Sequence, residues 1–266
     1  MNKNKKQKIY LKMKVGISLS ITFLLLLFCS IKWANYQQIF ELKISEISGF
    51  NILNQQDYFK IIDQINKNAD VDIDDIRQIL ERNPFVKAAR VSKHFPNNIK
   101  IQIAEREPLG IINIDNQLMI DNEGIILPGG SYSENYLIPV LSGFNSAKEL
   151  YPEGEKTFSI KVKEAVEILK ILSLKYPDLY ENISELTLNK DDEYVMILAN
   201  RPTRVILGKK DINRKLYILN SFDKALGQRQ LTDFRLLDMR YQKQLVAREW
   251  TWFVQTEKQN PIFIVD

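Results

Sequence analysis

Seventeen consecutive residues without a charge, VGISLSITFLLLLFCSI, run from Val15 to Ile31 between Lys14 and Lys32. No other feature narrows the fold as much. At ~1.5 Å of rise per residue a helix of that length reaches roughly 26 Å, slightly under the ~30 Å hydrocarbon core of a bilayer. Lys14 and Lys32 can snorkel to the headgroups, and Trp33 and Tyr36 suit the interfacial aromatic belt. Lysines at 3, 5, 6, 8, 12 and 14 precede the run, while only Lys32 and Lys43 follow it closely. This bias predicts a single membrane span with the N-terminus in the cytoplasm and the bulk of the chain outside. A cleaved signal peptide is the other reading. The apolar stretch is long for one, no A-x-A-like site follows, and Phe28 stands where a lipoprotein site before Cys29 needs a small residue. Cys29 is the one cysteine, so no internal disulfide can form. It reads as a bilayer-facing apolar filler. The outer region, over 200 residues, must be held by its core, which its size allows.

The formal charge is +4, but residues 1–32 hold seven lysines and no acid, so residues 33–266 carry −3. A mildly acidic folded region lacks the basic face that nucleic-acid binding requires.

Beyond the anchor, ELKISEISGF places Leu42, Ile44 and Ile47 among polar neighbours, and Gly49 breaks the run: a strand, then a turn. Residues 54–67 carry Tyr58, Ile61, Ile62 and Ile65 at helical spacing. In DIDDIRQILERNP, Asp72 and Asp75 suit a helix N-terminus, Ile76, Ile79 and Leu80 form the apolar stripe, and Pro84 stops the helix. FVKAARVSK and NIKIQIAER read as strands, the second with Ile99, Ile101 and Ile103 on one face. Residues 94–98, HFPNN, are turn chemistry between them. The order is β-α-α-β-β, two helices covering one face of a small mixed sheet.

The second outer segment is richer in strands. LGIINI and QLMI flank Asp115-Asn116, and Asp121–Gly124 makes a tight turn. Residues 159–175 form an amphipathic helix through Val162, Val166, Ile168, Leu169 and Leu172. ISELTL, YVMILA and TRVILG are strands. Residues 211–226 form a helix that Asp211 could cap and that ends before Gly227. DFRLLDMRYQKQLVAREW closes with strand pattern. The fold class is α+β: one transmembrane helix, a β-α-α-β-β unit and a larger, β-rich mixed unit.

Counting argues against catalysis. Hydrolytic triads and metal sites need nucleophiles, imidazoles or clustered thiols. The chain has only His94, in a turn, and Cys29, in the apolar run, with no phosphate-cradling loop and no nucleophile elbow. Asp70, Asp72, Asp74 and Asp75 lack the glycine and glutamate of a calcium loop and read as helix capping and solvation. No metal, cofactor or small-molecule substrate is implied. Glu105, Arg106 and Glu107 either meet a partner or solvate a strand end. Trp250 and Trp252, two apart with Phe253 following, share a strand face; they are either core or an aromatic anchor for a partner.

Several of these segments together resemble the FtsQ/DivIB family of bacterial cell-division proteins. Gly49, Pro84-Phe85-Val86, Ala89-Arg90-Val91, Phe95-Pro96 and Glu105-Arg106-Glu107-Pro108 match the family's POTRA domain, with Phe85 where a tryptophan is common. LMIDNEGIILP, LIPVLSGF, RVILGKKDINRKLYIL and LLDMRY match the second domain in family order. The resemblance implies a cytoplasmic tail over 1–14, a transmembrane helix over 15–35, a POTRA domain over 41–108, a β domain over 109–255 and a C-terminal tail over 256–266. It implies a non-catalytic, single-pass scaffold of the inner membrane at the division septum, its bulk in the periplasm. Its partners would be division proteins of FtsB/DivIC and FtsL type, adding a strand to an unpaired edge offered by the last strand of the β domain. Partner contacts then fall at Arg240, Tyr241, Gln244, Arg248 and Trp250, and POTRA contacts at Arg90, Glu105 and Arg106. A POTRA-containing accessory of outer-membrane protein assembly is the alternative, disfavoured by the single POTRA-like unit and by the absence of barrel segments after it.

Overall fold

A computed structural model describes residues 3–36, 43–63, 72–95, 98–114, 116–241, 244–250 and 262–265. Leu42, Ile65, Asp70, Pro96, Asn97, Asp115, Trp252 and Phe253, named above, lie outside these residues. The first element, α1 (Lys3–Tyr36), contains a 21-residue apolar stretch, Met13–Trp33, none of it buried against protein. It is the one described helix long and apolar enough to cross a membrane, and it fits a single-pass membrane protein.

The first folded unit has three strands, β1 (Lys43–Ser48), β2 (Val86–His94) and β3 (Asn98–Glu105), with β3 in the middle. β1 runs parallel to β3, and β2 is antiparallel to it. In sequence α2 (Gln55–Asp63) and α3 (Ile73–Glu81) lie between β1 and β2. Strict alternation makes β3 one-sided: Ile99, Ile101 and Ile103 are buried, while Lys100, Gln102 and Ala104 are exposed. Tyr58 and Ile62 of α2 and Ile76 and Leu80 of α3 cover that buried face. The start of α3 is held as its sequence predicts. The Asp72 carboxylate accepts from the Ile73 N–H at 2.7 Å, and Asp75 accepts from the Asp72 N–H at 3.2 Å. Gly49 has φ +84°, and a Cβ there would overlap the Ile103 carbonyl oxygen.

The second unit is one ten-stranded sheet. Its strands are β4 (Pro108–Ile112), β5 (Leu118–Asp121), β6 (Ile126–Leu127), β7 (Val140–Ser142), β8 (Ile183–Leu188), β9 (Tyr194–Leu198), β10 (Arg204–Gly208), β11 (Phe234–Asp238), β12 (Gln244–Glu249) and β13 (Ile262–Val265). The spatial order is β13-β12-β11-β10-β9-β8-β7-β4-β5-β6. Parallel neighbours need crossovers: α4 (Ile160–Lys175) lies between β7 and β8 and α6 (Ile212–Ala225) between β10 and β11, while the chain from β4 to its parallel neighbour β7 passes through β5 and β6. A short helix the sequence reading did not anticipate, α5 (Pro177–Glu181), follows α4. Val162, Val166, Leu169 and Leu172 of α4 and Leu216 and Leu219 of α6 share one core with the sheet.

Strands β4 to β6 are buried on both faces. Ile112, Leu118, Ile120 and Ile126 join the core under the helices, whereas Ile111, Met119, Ile125 and Leu127 join the core of the first unit. The continuous apolar runs LGII and LMI have this cause, since a strand covered on both sides needs no polar face. The two units therefore share a core, with Phe85 edge-on to Tyr132 at a centroid distance of 4.9 Å.

Two expectations need correction. Asp211 precedes α6, but at φ +56°, ψ 32° it sits in the left-handed region, and its side chain caps nothing. An N-cap side chain reaches the free N–H groups from an extended backbone, and Asp211 does not have that conformation. The second concerns β12, which is not an unpaired edge: β13 lies antiparallel along it, Gln244 opposite Val265 and Ala247 opposite Ile262.

Candidate protein-binding edge

The residues expected to contact a partner lie around β12. Leu245 and Ala247 point into the core, so Gln244, Val246 and Arg248 share the opposite face, with Gln244 and Arg248 exposed. Arg240 and Tyr241 stand where the chain leaves β11, just ahead of β12, and Trp250 stands immediately after it. The strand is six residues long, so these two groups are roughly 20 Å apart along it.

Ion pairs stand at the end of β11 and at the end of β12. Asp238, 6% exposed, accepts from the Arg240 backbone N–H at 3.0 Å and from its Nε at 3.0 Å through Oδ1, and from Nη2 at 2.6 Å through Oδ2. The Arg240 Nη1 also reaches Glu193 at 3.4 Å. Burial alone would raise the Asp238 pKa, but the Arg240 guanidinium and N–H outweigh it and hold the carboxyl below its ordinary value. The bond to Asp238 raises the Arg240 pKa in turn. Beside them Lys215 donates to the Leu207 carbonyl at 2.6 Å. Burial lowers its pKa against the opposing pull of Asp211, Asp238 and Glu193. Arg240 is thus a latch on the end of β11, and Tyr241, 55% exposed, is the aromatic ring beside it. At the other end Arg229 donates to Glu249 at 2.6 Å and lies over the Phe234 ring at 4.6 Å. The half-buried Trp250 donates from Nε1 to the Thr232 carbonyl at 3.3 Å.

Among the described strands, β13 covers part of this edge. The β13 pairing spans Gln244 to Ala247 and stops there, so Arg248 and Glu249 have no partner on that side among the described strands. Twelve residues, 250–261, connect the two strands.

The three residues expected to serve the first unit differ in setting. Arg90 is exposed on β2. Glu105 turns inward and accepts from the N–H groups of Asn51, Ile52 and Leu53 at 2.6, 2.5 and 3.1 Å and from the Tyr58 hydroxyl at 2.6 Å. Arg106 bridges to the second unit through Asp121 at 2.8 Å and Glu123 at 3.0 Å, and Lys87 meets Glu123 at 2.8 Å. Asp121, 2% exposed, is also held by the N–H groups of Glu123 and Ile125, both at 2.8 Å. Sequence reasoning placed Glu105 and Arg106 but missed the acids that answer them, Asp121 and Glu123, because a D-x-E turn carries no sign of which cation it meets. Among the described residues no group of three or more His, Cys, Asp or Glu side chains is placed to hold a metal ion.

Comparison with known proteins agrees with this architecture. Residues 42–106 match the family model described as POTRA domain, FtsQ-type, and residues 110–240 match the one described as cell division protein FtsQ/DivIB, C-terminal. The cell division protein FtsQ of Geotalea daltonii is 24% identical over 215 residues, 79% of this chain and 76% of that protein. The FtsQ of an Anaeromyxobacter species is 27% identical over 157 residues, 59% of this chain and 52% of that protein. The FtsQ of Myxococcus fulvus is 20% identical over 203 residues, 75% and 70% of the two chains. With both family models matched in order along one polypeptide, the chain belongs to the FtsQ/DivIB family of cell-division proteins.

Proposed function

We propose that the chain is a non-catalytic scaffold of the division machinery, held in the inner membrane by α1 with its N-terminus in the cytoplasm, and that it binds partners of FtsB/DivIC and FtsL type by strand addition along β12. The observation that carries this reading is that β12 already accepts an antiparallel strand on its outer edge. A backbone edge recognises any extended segment, so affinity comes from main-chain hydrogen bonds and selectivity from flanking side chains. Here the flanks are Arg240 and Tyr241 at one end, Trp250 at the other, and Gln244 and Arg248 on the exposed strand face. In this mechanism β13 is a placeholder. The incoming strand starts at Arg248 and Glu249, which β13 does not pair, and replaces β13 from there. Arg90 on the outer face of the first unit offers a contact for further division proteins, while Glu105 and Arg106 act from inside, fixing the angle between the units.

The test is a pull-down of the full chain in detergent with each candidate partner. Tyr241→Ala or Trp250→Ala should weaken capture by about 1 kcal/mol or more, and deleting residues 262–266 should tighten it. Capture that survives both substitutions and disappears on the deletion would place the partner elsewhere. A depletion strain that divides without filamenting would remove the division role.

A further inference from the structure

We propose that the face of the large sheet turned away from α4 and α6 receives, over β9 to β12, an acidic amphipathic helix of the same partner whose strand adds to β12, with carboxylates of that helix meeting Arg204 and Arg248. The inference deepens the strand-addition reading and rests on it.

Register defines the face. Leu186, Met196, Val205, Leu237 and Ala247 lie opposite one another across β8 to β12 and belong to the core under α4 and α6. Side chains alternate along a strand, so the neighbouring row, Glu185, Ile197, Arg204, Leu236 and Arg248, points the other way. A second row on that side runs through Val195, Ile206, Asp238 and Val246. Over β4 to β6 this side is covered by the first unit. Over β9 to β12 it is not covered by the helices of the second unit, since α4, α5 and α6 all pack on the other side, and Ile197, Ile206, Leu236 and Val246 stay half-buried.

Charge adds to shape. Arg204 and Arg248 flank Leu236 on the two strands beside it, about 10 Å apart at ~4.8 Å per strand. Both are exposed, and neither forms an ion pair among the described residues. The acids around them are engaged or face elsewhere. Asp238, whose charge Arg248 also feels, and Glu193 are held by Arg240. Glu249 pairs with Arg229, and Asp233 with Arg201 at 3.8 Å. Glu185, two strands from Arg204, accepts from the Ser142 hydroxyl. Asp178, Glu181 and Asp223 belong to α5 and α6, on the opposite side. The half of the face next to β12 thus presents two cations around an apolar centre.

These strands already pair with one another, so the face offers side chains and no free backbone, and the element that covers such a face is an amphipathic helix. A strand added to β12 lies in the plane of the sheet, and the partner chain leading to or from it finds one side held by α4 and α6 and the other open. On a helix, carboxylates at i and i+7 around an apolar i+3 or i+4 are ~10.5 Å apart, which matches Arg204 and Arg248 around Leu236.

The test uses the full chain in detergent with each candidate partner of FtsB/DivIC and FtsL type. Arg204 is two strands from β12, out of reach of strand pairing itself. Arg204→Glu should weaken capture about tenfold or more, and Arg204→Lys much less. Lys224→Glu, the same reversal on an exposed residue of α6, should change it by less than about twofold. A photo-crosslinking phenylalanine analogue in place of Ile197 should attach to a partner segment with acids at helical spacing. Capture that Tyr241→Ala weakens and Arg204→Glu does not would overturn this inference and leave strand addition standing. Capture that neither weakens overturns both. An equal loss with Lys224→Glu would reduce the effect to overall charge and overturn the site. A crosslink from position 197 that ends on residues 251–261 of the same chain, or on a second copy, overturns the occupant proposed.

Discussion

Glu105→Ala should loosen the segment that links β1 to α2. The carboxylate gathers three successive backbone N–H groups, of Asn51, Ile52 and Leu53, and the hydroxyl of Tyr58, whose side chain is fully buried. Burial first, and then the bond to Glu105, push the Tyr58 phenol pKa up, so this hydroxyl is a donor at every physiological pH. Hydrogen bonds to a charged acceptor contribute about 1.5–3 kcal/mol each. Asn51 is exposed, and water replaces its lost partner. Counting only the partly buried Ile52 and Leu53 N–H groups, at the lower figure, gives about 3 kcal/mol. At 1.4 kcal/mol per factor of ten, amide exchange over residues 51–58 should accelerate about a hundredfold. Glu105→Gln keeps one acceptor oxygen without the charge and should fall midway. Hydrogen–deuterium exchange of the full chain in nanodiscs reads this directly, with β10, in the other core, as the unaffected reference. Acceleration below about threefold in the alanine variant would show that the helices alone hold the segment, and that Glu105 is ornamental there.

Further outcomes follow from the joint, from the turn before α2 and from the turn between β5 and β6. Lys87 first, and then Arg106, hold the Glu123 carboxyl at about 2, below its ordinary value near 4.5. Its contribution to the joint is therefore intact above pH ~4.5 and lost as pH falls from there toward ~2; exchange protection over residues 118–125 should show that step, and a Glu123→Gln variant should lack it. Gly49→Ala should cost about 2 kcal/mol or more in chemical denaturation, since strained φ and overlap with the Ile103 carbonyl combine; Gly124→Ala, with φ +80° and open space around it, should cost about 1 kcal/mol from strain alone.

Where a strand is half-buried or a helix lies on a surface, its sequence announces it. Ile99, Ile101 and Ile103 alternate with polar residues, and the α3 stripe and its Asp72 start stand where local chemistry puts them. Two-sided burial is silent in this sense. LGII and LMI are plainly apolar, but nothing local says that Ile111 and Met119 meet the first unit while Ile112 and Ile120 meet the helices. Asp211 misled for a similar reason: capping depends on the backbone conformation at the cap position, and the left-handed conformation of Asp211 is not written in its local sequence. At the candidate edge, family resemblance is what names Arg240 and Tyr241 as expected contacts. The latch that holds Arg240 depends on Glu193, 47 residues earlier in the chain, and on a buried Asp238. The residues IFIV of β13 are a strand pattern in plain view, yet the strand they lie against is a property of the folded sheet.

The length of the connection decides whether β13 can yield to another strand. Closing 12 residues instead of a two-residue hairpin turn costs about 1.6 kcal/mol more in chain entropy, from (3/2)RT ln 6. Against this, β13 gains four paired positions, at net hydrogen-bond values of about 0.5–1.5 kcal/mol each. Its hold on the edge is then a few kcal/mol, within reach of a partner that pairs the whole of Gln244–Glu249 and so adds two positions that β13 leaves open. A shorter connection would close the edge to competitors, and an absent β13 would leave backbone N–H and C=O groups exposed to aggregation. Under the proposed strand addition, a strand that covers two thirds of β12 and is tied by a long connection would meet both demands, protecting the edge while the partner is away and leaving a starting point for it at Arg248.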